Sequence, residues 1–188
     1  MRLSGWNGHR RPRLSDPMRN CAHVPISRES SATMETSFRT ATLQDIVALR
    51  QFEQGIVSAE RAFDPTLKAG RIEYYDIDRM LLDDDVRFIV AEKGGSLVGC
   101  GFARVDMAKL YLRHSYQAYL GLMYVDPRYR GQSINGGIIE RLKRWCRSKG
   151  VTELRLEVYN DNLAAIGAYE KAGFSRHIIE MRLRLEDT

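Results

Sequence analysis

Between Tyr119 and Val158 the chain runs through an apolar strand, a basic loop, an amphipathic helix and an alternating strand, an order that constrains it to a layered sheet-and-helix fold. Tyr119 to Val125 is apolar and stops at Asp126-Pro127, because proline lacks the N–H that a ladder needs. Ile134 to Lys149 carries Ile138, Leu142, Trp145 and Cys146 at helical spacing, and Gly150 ends it. Leu154 to Val158 then alternates with the period of a strand. Strands and helices joined this closely belong to one layered sheet-and-helix unit.

The flanking segments complete the unit. Phe38 to Ala41 reads as a short strand, and Thr42 as the N-cap of a helix over Leu43 to Glu53. A second helical region is expected between about Val57 and Leu82, interrupted near Pro65. Arg87 to Ala91 and Ser96 to Val105 are strands joined by Lys93-Gly94-Gly95, a hairpin signal. Asn162 to Ala172 reads as a helix capped by Gly173, and Ile178 to Leu185 as a closing strand. The expected class is α/β (mixed α+β), a mixed sheet with helices on both faces.

The loop after the apolar strand has the chemistry of an anion site. Amides at a helix start lack intrahelical acceptors, and the helix dipole there favours negative charge. Arg128 and Arg130 add fixed positive charge suited to phosphate. Further on stands Asn162-Leu163-Ala164-Ala165-Ile166-Gly167-Ala168-Tyr169-Glu170-Lys171-Ala172-Gly173-Phe174. Together the two segments resemble the GNAT superfamily of acyl-CoA-dependent N-acetyltransferases, over about Phe38 to Leu185. The second matches the family pattern N-x-x-A-x-x-x-Y-E-K-x-G-F at every named position. The first departs from R-G-x-G-x-G, with Ser133 and Asn135 at the later two glycine positions.

The resemblance implies a mostly antiparallel sheet with a splayed acyl-CoA cleft, and acetyl-CoA as co-substrate. Backbone groups of Met123, Tyr124 and Val125 would pair with the pantetheine arm, and Asn162 would bond it as well. Arg130, Gly131, Gln132, Ser133, Ile134, Asn135 and Gly136 would cradle the pyrophosphate. Asn tolerates left-handed backbone and Ser is a small donor, so both departures suit such a loop. Tyr169 matches the family's general acid, a phenol that stays protonated at physiological pH. The family's usual glutamate on the strand before the loop has no counterpart here. Glu157 is a candidate base, as are Asp76, His114 and a water chain.

The acceptor pocket is expected from the Val57–Leu82 region, with Tyr74, Tyr75, Tyr111, Tyr116 and Tyr119 as aromatic supply and Asp76 and Asp78 as counter-charge. These residues suit a small-molecule or amino-acid-like amine, while a peptide terminus or lysine stays open. The implied reaction is direct acetyl transfer in a ternary complex, with an acyl-CoA-binding module that has lost turnover as the alternative. The chain has no G-x-x-x-x-G-K phosphate loop and no Rossmann spacing, which argues against a nucleotide-binding domain.

Composition sets the remaining bounds. A chain of 188 residues suits a single main domain, placed at 36–188. Residues 1–35 read as a disordered basic extension, with Met34 or Met18 as alternative starts. Six of the arginines lie within the first 33 residues against Asp16 and Glu29, so most of the net +5 belongs to this tail and does not signal a nucleic-acid partner. No apolar run is long enough to cross a membrane. Cys21, Cys100 and Cys146 lack C-x-x-C spacing, which suits a reduced, cytoplasmic setting. The four histidines are scattered without metal-ligand spacing, so no metal is expected. A homodimer is compatible with all of this.

Overall fold

A computed structural model describes residues 35–185. The basic extension, apart from Glu35, lies outside the described residues, as do Cys21 and the two alternative starts.

Alternating and β-rich segments give five strands: β1 (Ser37–Thr40), β2 (Val86–Lys93), β3 (Ser96–Met107), β4 (Tyr116–Val125) and β5 (Leu154–Arg155). They form one sheet in the order β1-β2-β3-β4-β5. Every neighbouring pair is antiparallel except β4 and β5, which run parallel. The β2–β3 turn uses Gly94 and Gly95 at φ +61° and +74°, the left-handed geometry that a tight hairpin demands.

Helices cover both faces. On one side α1 (Ile46–Glu60) and α2 (Ile77–Leu81) pack with Leu49, Phe88, Val90, Phe102 and Leu122. On the other, α3 (Ile134–Ser148) buries Ile138, Leu142 and Cys146 completely against Ile89, Ala103 and Leu120. The fourth helix, α4 (Leu163–Lys171), places Tyr169 on this second core. The entry to α1 is fixed by Asp45. Its buried carboxylate accepts from the Thr42 amide at 2.8 Å and from two Arg39 guanidinium nitrogens at 2.8 Å each.

Two expectations fail. The region read as helical from Val57 to Leu82 is helical only to Glu60 and again over Ile77–Leu81. Between them Asp64 accepts from the Thr66 amide and hydroxyl at 2.9 and 2.6 Å, a local turn that competes with helix beside Pro65. Residues Ile178 to Leu185 form no strand. Ile178, Ile179, Met181, Leu183 and Leu185 are 75–89% exposed, because alternation makes a strand only where a neighbour completes the ladder.

β4 is bent by a bulge. Cys100 pairs with Tyr124 and Phe102 with Gly121, so Leu122 and Met123 together face Gly101. Leu122 sits at φ +49° with its side chain buried, a strained backbone held by packing. Pairing between β4 and β5 ends at Tyr119 and Arg155, and from Leu120 to Val125 the outer edge of β4 has no strand beside it among the described residues.

Candidate active site

The open edge of β4 leads into the basic loop. Asp126 caps a one-turn 3-10 helix over Pro127–Tyr129, accepting from the Arg128 amide at 2.9 Å. Gly131 and Ser133 both adopt positive φ, +76° and +59°, the left-handed geometry from which anion-binding concavities of backbone amides are built. The first α3 amide with a helical acceptor is that of Gly137, donating to the Ser133 carbonyl at 3.0 Å. Ile134, Asn135 and Gly136 precede it, and their amides lie at the positive end of a 15-residue helix. Ser133 thus takes the left-handed conformation that glycine usually supplies.

The charges around this loop differ from those expected. The Arg128 guanidinium is taken up by Asp126 at 2.6 Å, so its charge is largely neutralised at the site. Arg130 Nε donates to the Val125 carbonyl at 3.3 Å, which lays its guanidinium along the strand end. Lys93, read in the sequence only as part of a hairpin turn, donates to Gln132 Oε1 at 2.7 Å and lies 5.9 Å from the Tyr129 ring centroid. Nothing local in the sequence links Lys93 to a loop 39 positions away; the β2–β3 hairpin carries it there.

Met123, Tyr124 and Val125 line the open edge, each anchored by its side chain. Met123 Sδ lies where a Cβ on Gly101 would stand 2.4 Å away, and the Tyr124 ring stacks on Phe52 at 5.0 Å. Gly55 of α1 admits that ring, because a Cβ there would meet Tyr124 Cε2 at 2.5 Å. The flanking backbone is therefore held while its outer hydrogen-bonding groups face the cleft.

Asn162 caps α4, its Oδ1 accepting from the Ala165 amide at 3.2 Å, which leaves Nδ2 to donate elsewhere. Tyr169, two turns on, is edge-on to Phe174 at 6.0 Å and half-buried. Burial, then the neighbouring Tyr119 and Glu60, push its phenol up to about 12. Cys100 and Cys146 are buried free thiols raised by desolvation, Cys146 to about 11, and so are core residues rather than nucleophiles.

The aromatic supply divides. Tyr74, Tyr75 and Tyr119 converge: Tyr75 is edge-on to Tyr74 at 6.2 Å and to Phe102 at 4.9 Å, and Phe102 in turn lies 6.3 Å from the Tyr119 ring. Buried Glu53 accepts from the amides of Tyr74 and Tyr75 at 2.9 and 3.0 Å, pinning this segment to α1. Tyr111 and Tyr116 are exposed at the far end, before and at the start of β4. Asp76 is engaged as the α2 cap and Asp78 pairs with Arg50. His114 also precedes β4, its Nδ1 3.5 Å from Glu153, about a strand's length from the loop. Glu157 follows β5 and is exposed. Besides Glu53, a second carboxylate stands among the tyrosines: Glu60, the last residue of α1, accepts from the Tyr74 hydroxyl at 2.9 Å. Burial raises its pKa. Its position a turn past the apolar face of α1 gave no sequence signal.

Comparison with known proteins agrees with this geometry. Residues 50–174 match the model of the acetyltransferase (GNAT) family. An IAA acetyltransferase of Azospirillum brasilense is 30% identical over 140 residues, covering 74% of this chain and 84% of that protein. An acetyltransferase of Yersinia pestis is 35% identical over 99 residues, covering 53% of this chain and 64% of its own length. Among solved structures, a predicted acetyltransferase of Clostridium acetobutylicum with acetyl-CoA superposes with a TM-score of 0.61 at 18% identity, over 80% of this chain and 96% of that one. No helix among the described residues is long and apolar enough to cross a membrane. The chain belongs to the acetyltransferase (GNAT) family and is an acetyltransferase.

Proposed function

We propose that the protein transfers the acetyl group of acetyl-CoA to the primary amine of a small-molecule or amino-acid-like acceptor, by direct attack within a ternary complex. The observation that carries this reading is the gap between β4 and β5. It is open from Leu120 onward, ends at a loop with two positive-φ residues and a helix start, and has Tyr169 on the same core as Met123 and Val125. An extended thioester with a diphosphate at one end fits such a cleft.

In this reading the amides from Gly131 to Gly136 hold the diphosphate, with Arg130 and Lys93 supplying charge. The backbone of Met123 to Val125 adds the pantetheine arm to the free edge of the sheet. Asn162 Nδ2 donates to the same arm while its Oδ1 keeps the helix cap. Tyr169 donates to the sulfur as the C–S bond breaks. With its phenol at about 12 and a thiol near ~8.5, complete transfer is uphill by roughly 5 kcal/mol. Tyr169 therefore acts first as a hydrogen-bond donor to the developing thiolate. The proton that the nitrogen sheds restores the phenol, so the pair of transfers is coupled.

The test is release of free thiol from acetyl-CoA over a panel of amines and amino acids, beside calorimetric CoA binding. The expected outcome is CoA binding with turnover for at least one amine. Tight CoA binding with no turnover over the whole panel, peptides included, would point to a binding module.

A further inference from the structure

We propose that Glu60 receives the acceptor's ammonium proton, within a tyrosine-walled site formed where α1 ends. The inference rests on the acetyl-transfer reading above, and it supplies the base that the sequence does not reveal. An alkylammonium of pKa ~10.4 is neutral only about one part in 10³ at pH 7, so the acceptor must lose a proton before it attacks. β4 offers no carboxylate for this: Tyr116 to Val125 contains none.

Glu60 is half-buried, and one of its oxygens takes the Tyr74 hydroxyl at 2.9 Å. The other has no hydrogen-bond partner among the described residues, and no lysine or arginine pairs with this carboxylate there. The nearby cations are committed elsewhere. Arg61 donates to the Gly70 carbonyl at 2.6 Å, and Arg182 pairs with Asp64 at 3.0 Å. Tyr119 on β4 and Tyr75 after α1 both feel the charge of this carboxylate, and the Tyr75 ring lies edge-on to Tyr74 at 6.2 Å. Beyond β5 stands Tyr159, whose ring stacks on Phe63 at 6.0 Å, and from α4 comes Tyr169. Glu157 bears on Tyr119 from the same side. A desolvated carboxylate walled by phenol rings recognises a cation through charge and ring faces together. Burial also raises the carboxyl pKa, which makes it a better proton acceptor than a solvated glutamate. The charge of Glu60 also bears on the Tyr169 phenol, so the proposed base and acid belong to one electrostatic neighbourhood.

The steps balance. R–NH3+ gives one proton to the Glu60 carboxylate and becomes R–NH2. The nitrogen lone pair forms the N–C bond, the C–S bond breaks, and sulfur takes the Tyr169 proton. The nitrogen's second proton restores the phenol, and Glu60 releases its own proton to water.

The experiment is the pH profile of kcat/KM for the best amine found, measured on the full chain, with CoA binding followed by calorimetry. In the wild type kcat/KM should rise through one inflection, the ionisation of Glu60, and then level off below the amine's own pKa. In Glu60→Gln it should fall about 10²-fold near pH 7 and climb steadily with pH toward the amine pKa, because only preformed neutral amine reacts. CoA affinity should stay within about twofold. Tyr74→Phe removes the hydroxyl that holds the carboxyl pKa down, so its inflection should move to higher pH. A uniform loss in Glu60→Gln with the plateau retained would overturn the assignment. An unmoved inflection in Tyr74→Phe would do the same, even if Glu60→Gln failed to fold. Absence of CoA binding by the wild type would instead overturn the acetyl-transfer reading itself.

Discussion

Replacing Ser133 by glycine isolates what the backbone of the phosphate loop requires. Ser133 sits at φ +59°, ψ +15°, and its hydroxyl makes no cap hydrogen bond to α3. Left-handed geometry costs an L-residue about 1–2 kcal/mol, and glycine removes that cost. Glycine also loses more freedom on folding, worth about 0.5–1 kcal/mol in the opposite direction. The net gain is about 0.5–1 kcal/mol. For a domain of this size that shifts Tm by about +1 to +4 °C. Ser133→Val should go the other way and by more, because a β-branched side chain resists positive φ. The assay is thermal unfolding by circular dichroism without ligand, with CoA affinity measured alongside. A glycine variant that melts lower than wild type, or a valine variant that melts the same, would refute the claim that this loop stores left-handed strain. CoA affinity of Ser133→Gly should remain within about threefold, since the amides rather than the hydroxyl do the holding.

Other substitutions sort the remaining roles. Lys93→Ala and Arg130→Ala should each weaken CoA binding roughly three- to tenfold at low ionic strength and less at high salt, whereas Arg128→Ala should change it under about twofold, because Asp126 already neutralises that charge. Equal losses in calorimetry for all three would contradict the assignment. Tyr169→Phe should lower kcat by about 10²-fold or more while CoA affinity changes under about twofold; unchanged turnover would remove Tyr169 from the mechanism. The Arg39 guanidinium holds the Asp45 carboxyl down to about 2, below its unfolded value near ~3.9. Its stabilisation is therefore complete above about pH 4 and is lost as pH falls toward 2. Asp45→Asn should flatten the fall of Tm with pH in that window, an effect kept modest by the exposure of Arg39.

Much of the fold could be read from local chemistry. Gly94-Gly95 announced the hairpin because its turn needs positive φ at both positions. The apolar spacing of Ile138, Leu142 and Cys146 matched the buried face of α3, and Asn162 and Gly173 marked the ends of α4. What escaped was tertiary in origin. The bulge that opens the cleft rests on Leu122 at positive φ, and leucine carries no signal for that geometry. Five residues from Leu154 to Val158 alternate, yet only two find a partner, because β4 has already turned away. The closing segment alternates too and stays exposed for want of a neighbouring strand. At the site, the two motifs located the loop and α4. Lys93 comes to the loop from a distant hairpin, Glu60, the proposed base, lies at a helix end, and pairing such as Arg128 with Asp126 is invisible until side chains are placed.

The most direct measurement is a crystal structure of the protein with acetyl-CoA. The account requires the diphosphate on the amides of Gly131 to Gly136, the pantetheine arm along Met123 to Val125, and the thioester sulfur within hydrogen-bond reach of the Tyr169 hydroxyl. A diphosphate bound elsewhere, or a sulfur remote from that phenol, would contradict it.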